Sequence, residues 1–176
     1  MTMRCLVVHN RYRERGGEDA AVEAEVALLR AHGHDVTLLE RSNASLDALP
    51  PWKRATTLAR VAWSREAGAL VTRVARRMRP DVLHVHNHFP LWTPAVYGAA
   101  RALGVPVVQT IHNYRFACAG ATLFRAGRPC EECLGHGPWR AVRYGCYQGS
   151  RLKTAAVAHY LARSRRRGIW RDLVDV

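Results

Sequence analysis

Short apolar runs alternate with helical patterns along the chain. The runs are Cys5–Val8, Val36–Leu39, Val82–Val85 and Val107–Ile111. β-Branched residues dominate them, and polar residues do not alternate through them as they do in a half-exposed strand. Such runs are typical of parallel strands that are buried on both faces. We therefore expect an α/β fold, in which helices flank an open, mostly parallel sheet.

Helical spacing fills the intervals between these runs. Val22 and Val26 are four residues apart on one helix face, and Gly33 stands where that helix is expected to end. The interval Trp52–Arg79 carries an apolar stripe flanked by arginines, and we expect Gly68 to bend or split this helix. A shorter helix is expected to join the third strand to the fourth.

The charge of the chain is strongly positive for a single domain of its size. The 176 residues carry a formal net charge of +13, and all but two of the 27 basic residues are arginine. Such a charge favours an anionic partner, although GC-rich coding also enriches arginine. We expect no nucleic acid, because no zinc-finger or helix-turn-helix pattern is present and aromatic residues do not alternate with the basic ones.

Neither a signal-peptide pattern nor a transmembrane pattern stands out in the sequence. The first apolar run has four residues, too few for a signal-peptide core, and no apolar window is long enough for a transmembrane helix. We therefore expect a cytoplasmic protein. The arginine-flanked helix over Trp52–Arg79 also predicts peripheral association with the anionic inner face of the cell membrane, although a helix packed on the core has the same pattern.

Candidate binding groups lie where strands end, because ligands of open α/β sheets bind beyond the carboxyl ends of the strands. Gly16, Gly17 and Glu18 stand just before the first helix. Backbone amides at such a helix N-terminus can hold a phosphate, whereas a plain turn is the alternative. The G-x-G-x-x-G spacing is missing, so we expect no dinucleotide cofactor.

Histidines follow the third and fourth strands. His84, His86, Asn87 and His88 end the third strand, and His112 ends the fourth. Alternation along a strand puts the first two histidines on one face, where they suggest either a metal pair or groups that bind a hydroxylated or phosphorylated substrate. Because their loop lacks carboxylates, we favour the substrate-binding interpretation. His84 is then expected to be a core residue.

Four of the five cysteines fall within a single segment, with eleven, two and twelve residues between successive members. They are Cys118, Cys130, Cys133 and Cys146. Four thiolates can bind a tetrahedral structural zinc ion, which would order a loop insertion spanning residues 114–150. Buried thiols are the alternative, and a disulfide is disfavoured in a reducing compartment.

Four motifs occur in order along the chain and together resemble a known family. The motifs are the glycine loop, the His-x-His-Asn-His strand end, the Thr-x-His-Asn strand end and the cysteine segment. They are similar to the N-terminal, acceptor-side domain of glycosyltransferase family 4 enzymes of the GT-B type. The resemblance covers nearly all of residues 1–176 and implies one Rossmann-like domain. It also implies transfer of a sugar from a nucleotide-sugar donor to a glycan or lipid-linked acceptor, as in polysaccharide biosynthesis.

The resemblance further implies a role for each group of site residues. It implies that His112 is catalytic and lies beside the transferred sugar. The residues at positions 86–88 are implied to bind the acceptor, and the glycine loop at positions 16–18 is implied to face the donor diphosphate and the acceptor.

A departure from the family pattern concerns the donor side. Family members carry a C-terminal domain with a Glu-x7-Glu donor motif, whereas this sequence stops at Asp172–Val176, which looks like the start of the next strand. We therefore expect a fragment, a truncated product or one half of a split enzyme that pairs with a separate donor-domain chain. The alternative is a non-catalytic module that binds an acceptor or a membrane surface.

Overall fold

The sheet has the parallel α/β architecture expected from the sequence. A computed structural model describes all residues 1–176 and contains four parallel strands in the order β2-β1-β3-β4. They are β1 (Arg4–Arg11), β2 (Asp35–Ser42), β3 (Val82–Val85) and β4 (Val107–Gln109). β1 and β2 each run three residues beyond the apolar runs that predicted them, and β4 ends two residues earlier than expected. All four predicted strands are confirmed.

Helices cover both faces of this sheet. They are α1 (Gly17–Ala31), α2 (Pro51–Arg60), α3 (Arg65–Met78) and α4 (Ala95–Arg101), and a single 3₁₀ turn at Asn43–Leu46 follows β2. On one face, Val22 and Val26 of α1 pack against Val7 of β1. On the other face, α3 and α4 pack against the opposite side of the same strands, around Leu6 and Val8.

The helix predicted over residues 52–79 is in fact two helices, and the expected break at Gly68 is wrong. The break lies at residues 61–64, where the Ser64 hydroxyl accepts a hydrogen bond from the backbone N–H of Ala67 and starts α3. Gly68 lies inside α3, and a Cβ there would stand 3.3 Å from the backbone oxygen of Ala95. The glycine therefore allows α3 and α4 to approach closely. Close helix packing, like a helix break, favours glycine at this position.

Residues 114–150, here called the cysteine segment, form short elements beside the sheet. They are a 3₁₀ turn at Tyr114–Phe116, the hairpin of β5 (Phe124–Arg125) and β6 (Arg128–Pro129), and the helices α5 (Glu132–His136) and α6 (Arg140–Tyr144). The long helix α7 (Arg151–Arg166) follows and packs on this segment, with Tyr160 and Leu161 in a shared apolar cluster with Cys133.

The end of the described chain returns to the sheet. After α8 (Ile169–Asp172), the backbone N–H of Asp175 donates to the oxygen of Val107 at 2.8 Å. The N–H of Gln109 donates to the oxygen of Val176 at 2.8 Å. These bonds place the last residues along the outer edge of β4. None of the eight helices combines the length and apolar character needed to cross a membrane.

Candidate active site at the carboxyl edge of the sheet

The candidate site lies where the carboxyl ends of β1, β3 and β4 meet. β1 is hydrogen-bonded to β2 on one side and to β3 on the other, so the connections that leave β1 and β3 run in opposite directions from this point. His9 and Asn10 lie near the end of β1, His86 follows β3 and His112 follows β4. The loops after these strands therefore lie together at this edge of the sheet.

His112 and His86 form a direct pair at this edge. The Nε2 atom of His112 lies 3.0 Å from Nδ1 of His86, and the two rings are stacked. Burial, followed by the neighbouring His84, lowers the pKa of His86 to about 3. Burial also lowers the pKa of His112, with a smaller contribution from His9. Both rings are thus neutral at neutral pH, and one ring donates its N–H to the other.

Asp19 ties the glycine loop to β1. Its Oδ2 atom accepts a hydrogen bond from the Gly16 N–H at 3.0 Å, and its Oδ1 atom lies 2.8 Å from Nε2 of His9. Burial tends to raise the pKa of Asp19, but the bonds from Gly16 and His9 outweigh burial and the pKa is lowered. A Cβ at Gly16 or Gly17 would meet no atom within 4 Å. The N-terminus of α1 is therefore open to a ligand.

Glu18 faces the crevice beside this loop. The side chains of Asn87, Tyr12 and Asn113 surround its carboxyl group and favour the ionised form, but burial dominates and raises its pKa to about 7. Its Oε1 atom is buried and has no hydrogen-bond partner within the chain. A carboxyl group that is partly protonated near neutral pH can lie beside an anionic diphosphate, where a fully ionised one would repel it.

The three residues of the β3 end do not all face the crevice. The Asn87 side chain donates to the Asn10 backbone oxygen at 3.0 Å and accepts from the Phe89 N–H at 2.9 Å, so it joins two strand ends. His88 is turned into the core, where its ring nitrogens lie 2.7 Å from the hydroxyl of Tyr97 and 2.8 Å from that of Tyr160. All three residues are buried, but Asn87 and His86 contact residues at the strand ends, whereas His88 contacts tyrosines of the core.

The loops after all four strands enclose a cleft of about 320 Å³. Its polar lining includes Tyr12, Asn43, Arg115 and Gln148. The Arg115 guanidinium packs over the rings of Phe89 and Tyr147 and donates to the backbone oxygen of Ala119. These lining residues are not marked by any motif in the sequence, although Arg115 lies three residues after His112.

The cysteines of the cysteine segment are all free thiols. Cys133 is buried, which raises its pKa, while the backbone N–H groups of Ala119 and Ala141 point at its sulfur and partly oppose that effect. Arg125 contacts the sulfur of Cys130. No three of the four sulfurs lie within 4.8 Å of one another, so they are more widely spaced than zinc ligands. The one group of ligating side chains that meets this distance is formed by Glu25, His84 and His86.

Comparison with known protein families identifies the class to which this fold and site belong. The family model described as Glycosyltransferase Family 4 matches residues 16–168, which is most of the chain. The chain therefore belongs to glycosyltransferase family 4, and the resemblance seen in its motifs is confirmed. Searches of curated proteins and of solved structures gave no match.

Proposed function

We propose that this chain is the acceptor-side half of a sugar transferase. Paired with a donor domain, it would transfer a sugar from a nucleotide-sugar donor to a glycan or lipid-linked acceptor. The observation that carries the proposal is the position of His112. It lies at the tip of β4, paired with His86, at the edge of the sheet where α1 also begins, in a chain of glycosyltransferase family 4.

In this proposal the departing diphosphate lies against Gly16 and Gly17. The backbone N–H of Gly17 and the N-terminus of α1 stabilise the negative charge that develops on the leaving group, while the Gly16 N–H stays bonded to Asp19. His112 donates or accepts a hydrogen bond at the transferred sugar, and Glu18 lies beside the diphosphate in its protonated form. The acceptor occupies the cleft that Arg115 lines. Catalysis then depends on placing donor and acceptor together, and no protein nucleophile on this half is needed.

The predicted acceptor-binding residues take different roles within this proposal. Asn87 joins the ends of β1 and β3 and borders the carboxyl group of Glu18, so it shapes the wall that the acceptor contacts. His86 positions His112 through their direct contact. His88 holds the turn after β3 in place from the core. The last two are therefore positioning residues.

A transfer assay tests the proposed function. Because transfer requires donor and acceptor to be held together, and this proposal assigns residues 1–176 the acceptor side, we expect no measurable transfer from a panel of nucleotide sugars by these residues alone. Addition of a family 4 donor domain, as a second chain or as a fusion, is expected to produce nucleoside diphosphate and a glycosylated acceptor. Nucleotide-sugar binding without transfer by the fusion would favour the alternative of a non-catalytic acceptor-binding module.

We also propose that the cysteine segment binds a structural zinc ion. Support comes from donors that point at its thiols, namely the N–H groups of Ala119 and Ala141 at Cys133 and the guanidinium of Arg125 at Cys130. Such donors stabilise thiolates, the form that binds zinc. Zinc would draw the four sulfurs closer together and order a segment that has only short helices and strands.

Metal analysis tests this proposal on the purified chain. We expect close to one equivalent of zinc after preparation under reducing conditions without chelator. Cys130→Ser is expected to lose that zinc and to increase proteolysis within residues 114–150, whereas Cys5→Ser, in β1, serves as the matched control. Wild-type protein that holds no zinc would refute the proposal.

We further propose peripheral binding at the cytoplasmic face of an anionic membrane. The apolar stripe of α3 is buried in the core, so the surface that supports this proposal is α2, which has no buried residue. Trp52 is 64% exposed on α2, and Leu152 of α7 is 77% exposed nearby. Lys53 and Arg54 lie beside them and would be attracted to the negative charge of that leaflet.

Vesicle sedimentation tests the membrane proposal. Each basic residue near an anionic surface contributes about 1 kcal/mol, so we expect binding to phosphatidylglycerol vesicles that weakens at high salt. The double variant Trp52→Ala, Leu152→Ala is expected to bind severalfold more weakly. Leu28→Ala, an exposed leucine on α1, is the matched control. Equal binding to neutral phosphatidylcholine vesicles would contradict the proposal.

A further inference from the structure

A second cluster of polar side chains lies next to the His86–His112 pair, on the face of the sheet that α1 covers. Glu25 of α1 reaches two histidines of β3. Its Oε1 atom lies 2.8 Å from Nδ1 of His84, and its Oε2 atom lies 3.7 Å from Nε2 of His86. The ring centroids of the two histidines are 4.2 Å apart. One ligand atom from each residue therefore lies within 4.8 Å of the other two.

One nitrogen of this cluster has no partner. The His86 side chain is 1% exposed, and its Nε2 atom makes no hydrogen bond within the chain. The nearest carboxylate oxygen, 3.7 Å away, is beyond hydrogen-bond distance. Buried polar atoms in native proteins nearly always have a partner, so a nitrogen in this position points to a ligand that completes the site.

The types of ligand in this cluster suit a transition metal. A neutral imidazole carries a free lone pair on one ring nitrogen, and the unpartnered Nε2 atom of His86 can offer it to an ion. Two imidazole nitrogens and one carboxylate oxygen form a ligand set that zinc and other divalent transition metals favour over magnesium or calcium. Ligands about 2 Å from a tetrahedral zinc ion stand about 3.3 Å apart. The observed separations of 2.8 and 3.7 Å lie on either side of that value.

We propose that Glu25, His84 and His86 bind a divalent transition-metal ion such as zinc. Glu25 is 35% exposed and His84 is 13% exposed, so an ion can reach the cluster from solvent and keep a water ligand. The sequence argued against a metal at these histidines because their loop lacks a carboxylate. The fold supplies the carboxylate from α1 instead.

Groups around the cluster can orient its ligands. The Nε2 atom of His84 lies 2.8 Å from the hydroxyl of Thr110. The hydroxyl can accept a hydrogen bond from Nε2–H, which leaves the lone pair of Nδ1 free for the ion. With an ion on Nε2 of His86, the proton of that ring must stand on Nδ1 and be donated to His112. His112 then carries its own proton on Nδ1, so the ion sets the tautomer of the residue that the proposed function places beside the sugar.

Zinc binding to the full-length chain tests this proposal. After removal of metal, we expect added zinc to shift the ¹⁵N resonances of His84 Nδ1 and His86 Nε2 to values for coordinated nitrogen and to hold His112 in its Nδ1–H form. Glu25→Gln is expected to weaken zinc binding at this site at least tenfold while the metal-free protein melts at an unchanged temperature. Glu23→Gln, on the same helix but paired with Arg11 and Arg15, is the matched control.

Cobalt separates this site from the cysteine segment, because thiolate ligands give intense charge-transfer bands that nitrogen and oxygen ligands lack. The proposal would be supported if the Cys130→Ser protein takes up cobalt without these bands. Adding Glu25→Gln to that protein should then abolish the uptake. Unmoved histidine resonances, or metal uptake that Glu25→Gln leaves unchanged, would overturn the proposal. These measurements need no sugar substrate, so their failure would leave the proposed transferase function untouched.

Discussion

His112→Ala is expected to lower sugar transfer about 100-fold in an active enzyme that contains this chain. Loss of one preorganised polar contact to a transition state commonly has an effect of this size. The ring is held at the strand tip by its contact with His86, so its position is set before substrate binds. Nucleoside diphosphate release with the nucleotide sugar that the wild-type enzyme uses measures the effect.

The melting temperature separates a role in catalysis from a role in folding. We expect His112→Ala to melt within a few degrees of wild type, because the ring is only partly buried. His136→Ala, which removes an exposed histidine from α5, should change neither turnover nor melting. A His112→Ala protein that melts early but keeps normal turnover would show that this residue has a structural role and not a catalytic one.

Asp19→Ala is expected to lower the free energy of unfolding by about 3 kcal/mol, since it leaves a buried His9 nitrogen and the Gly16 N–H without their acceptors. For a domain of this size the melting temperature should fall by roughly 6 to 12 °C. Glu23→Ala removes a half-exposed carboxylate from the same helix and should lower the stability much less than Asp19→Ala does. Equal losses in the two variants would contradict the structural role of Asp19.

The contribution of Asp19 depends on pH in a defined direction. Its pKa in the folded protein is below the ordinary value of 3.8, so the unfolded chain takes up the proton first as the pH falls. The stabilisation by Asp19 is therefore complete at pH values above its ordinary pKa of 3.8. It is lost as the pH falls through the lowered pKa of the folded protein. Denaturant unfolding of wild type and Asp19→Ala should show the two stabilities converging in acid, and a constant difference would be inconsistent with this account.

The strands could be predicted because their centres are buried on both sides. Leu6, Val7 and Val8 are completely buried, and this is why an uninterrupted apolar run marks β1. The strand continues through His9 and Asn10, which are also buried, but an apolar pattern cannot reveal a buried polar residue. The end of β1 was therefore underestimated at the very place where the site begins.

Strand order and the alternation of side chains along a strand predict only part of the site. Alternation correctly placed His84 and His86 on one face, and strand order correctly brought His112 to the neighbouring tip. Contacts between distant segments could not be predicted in this way. Glu25 meets β3 from α1, and the chain turns His88 away from the crevice after β3, because helix packing and the path of a loop decide both positions.

The strands of the sheet are held unequally, and this bears on how the crevice opens. β1 pairs with β2 over eight residues and with β3 over four, whereas β4 pairs with β3 over three residues. Local opening takes the least supported segment first, so amide hydrogens should exchange sooner at the tip of β4 than at the tip of β1. The wall that carries Asn10 then acts as a rigid template, while the wall that carries His112 samples open states that a bound substrate would suppress.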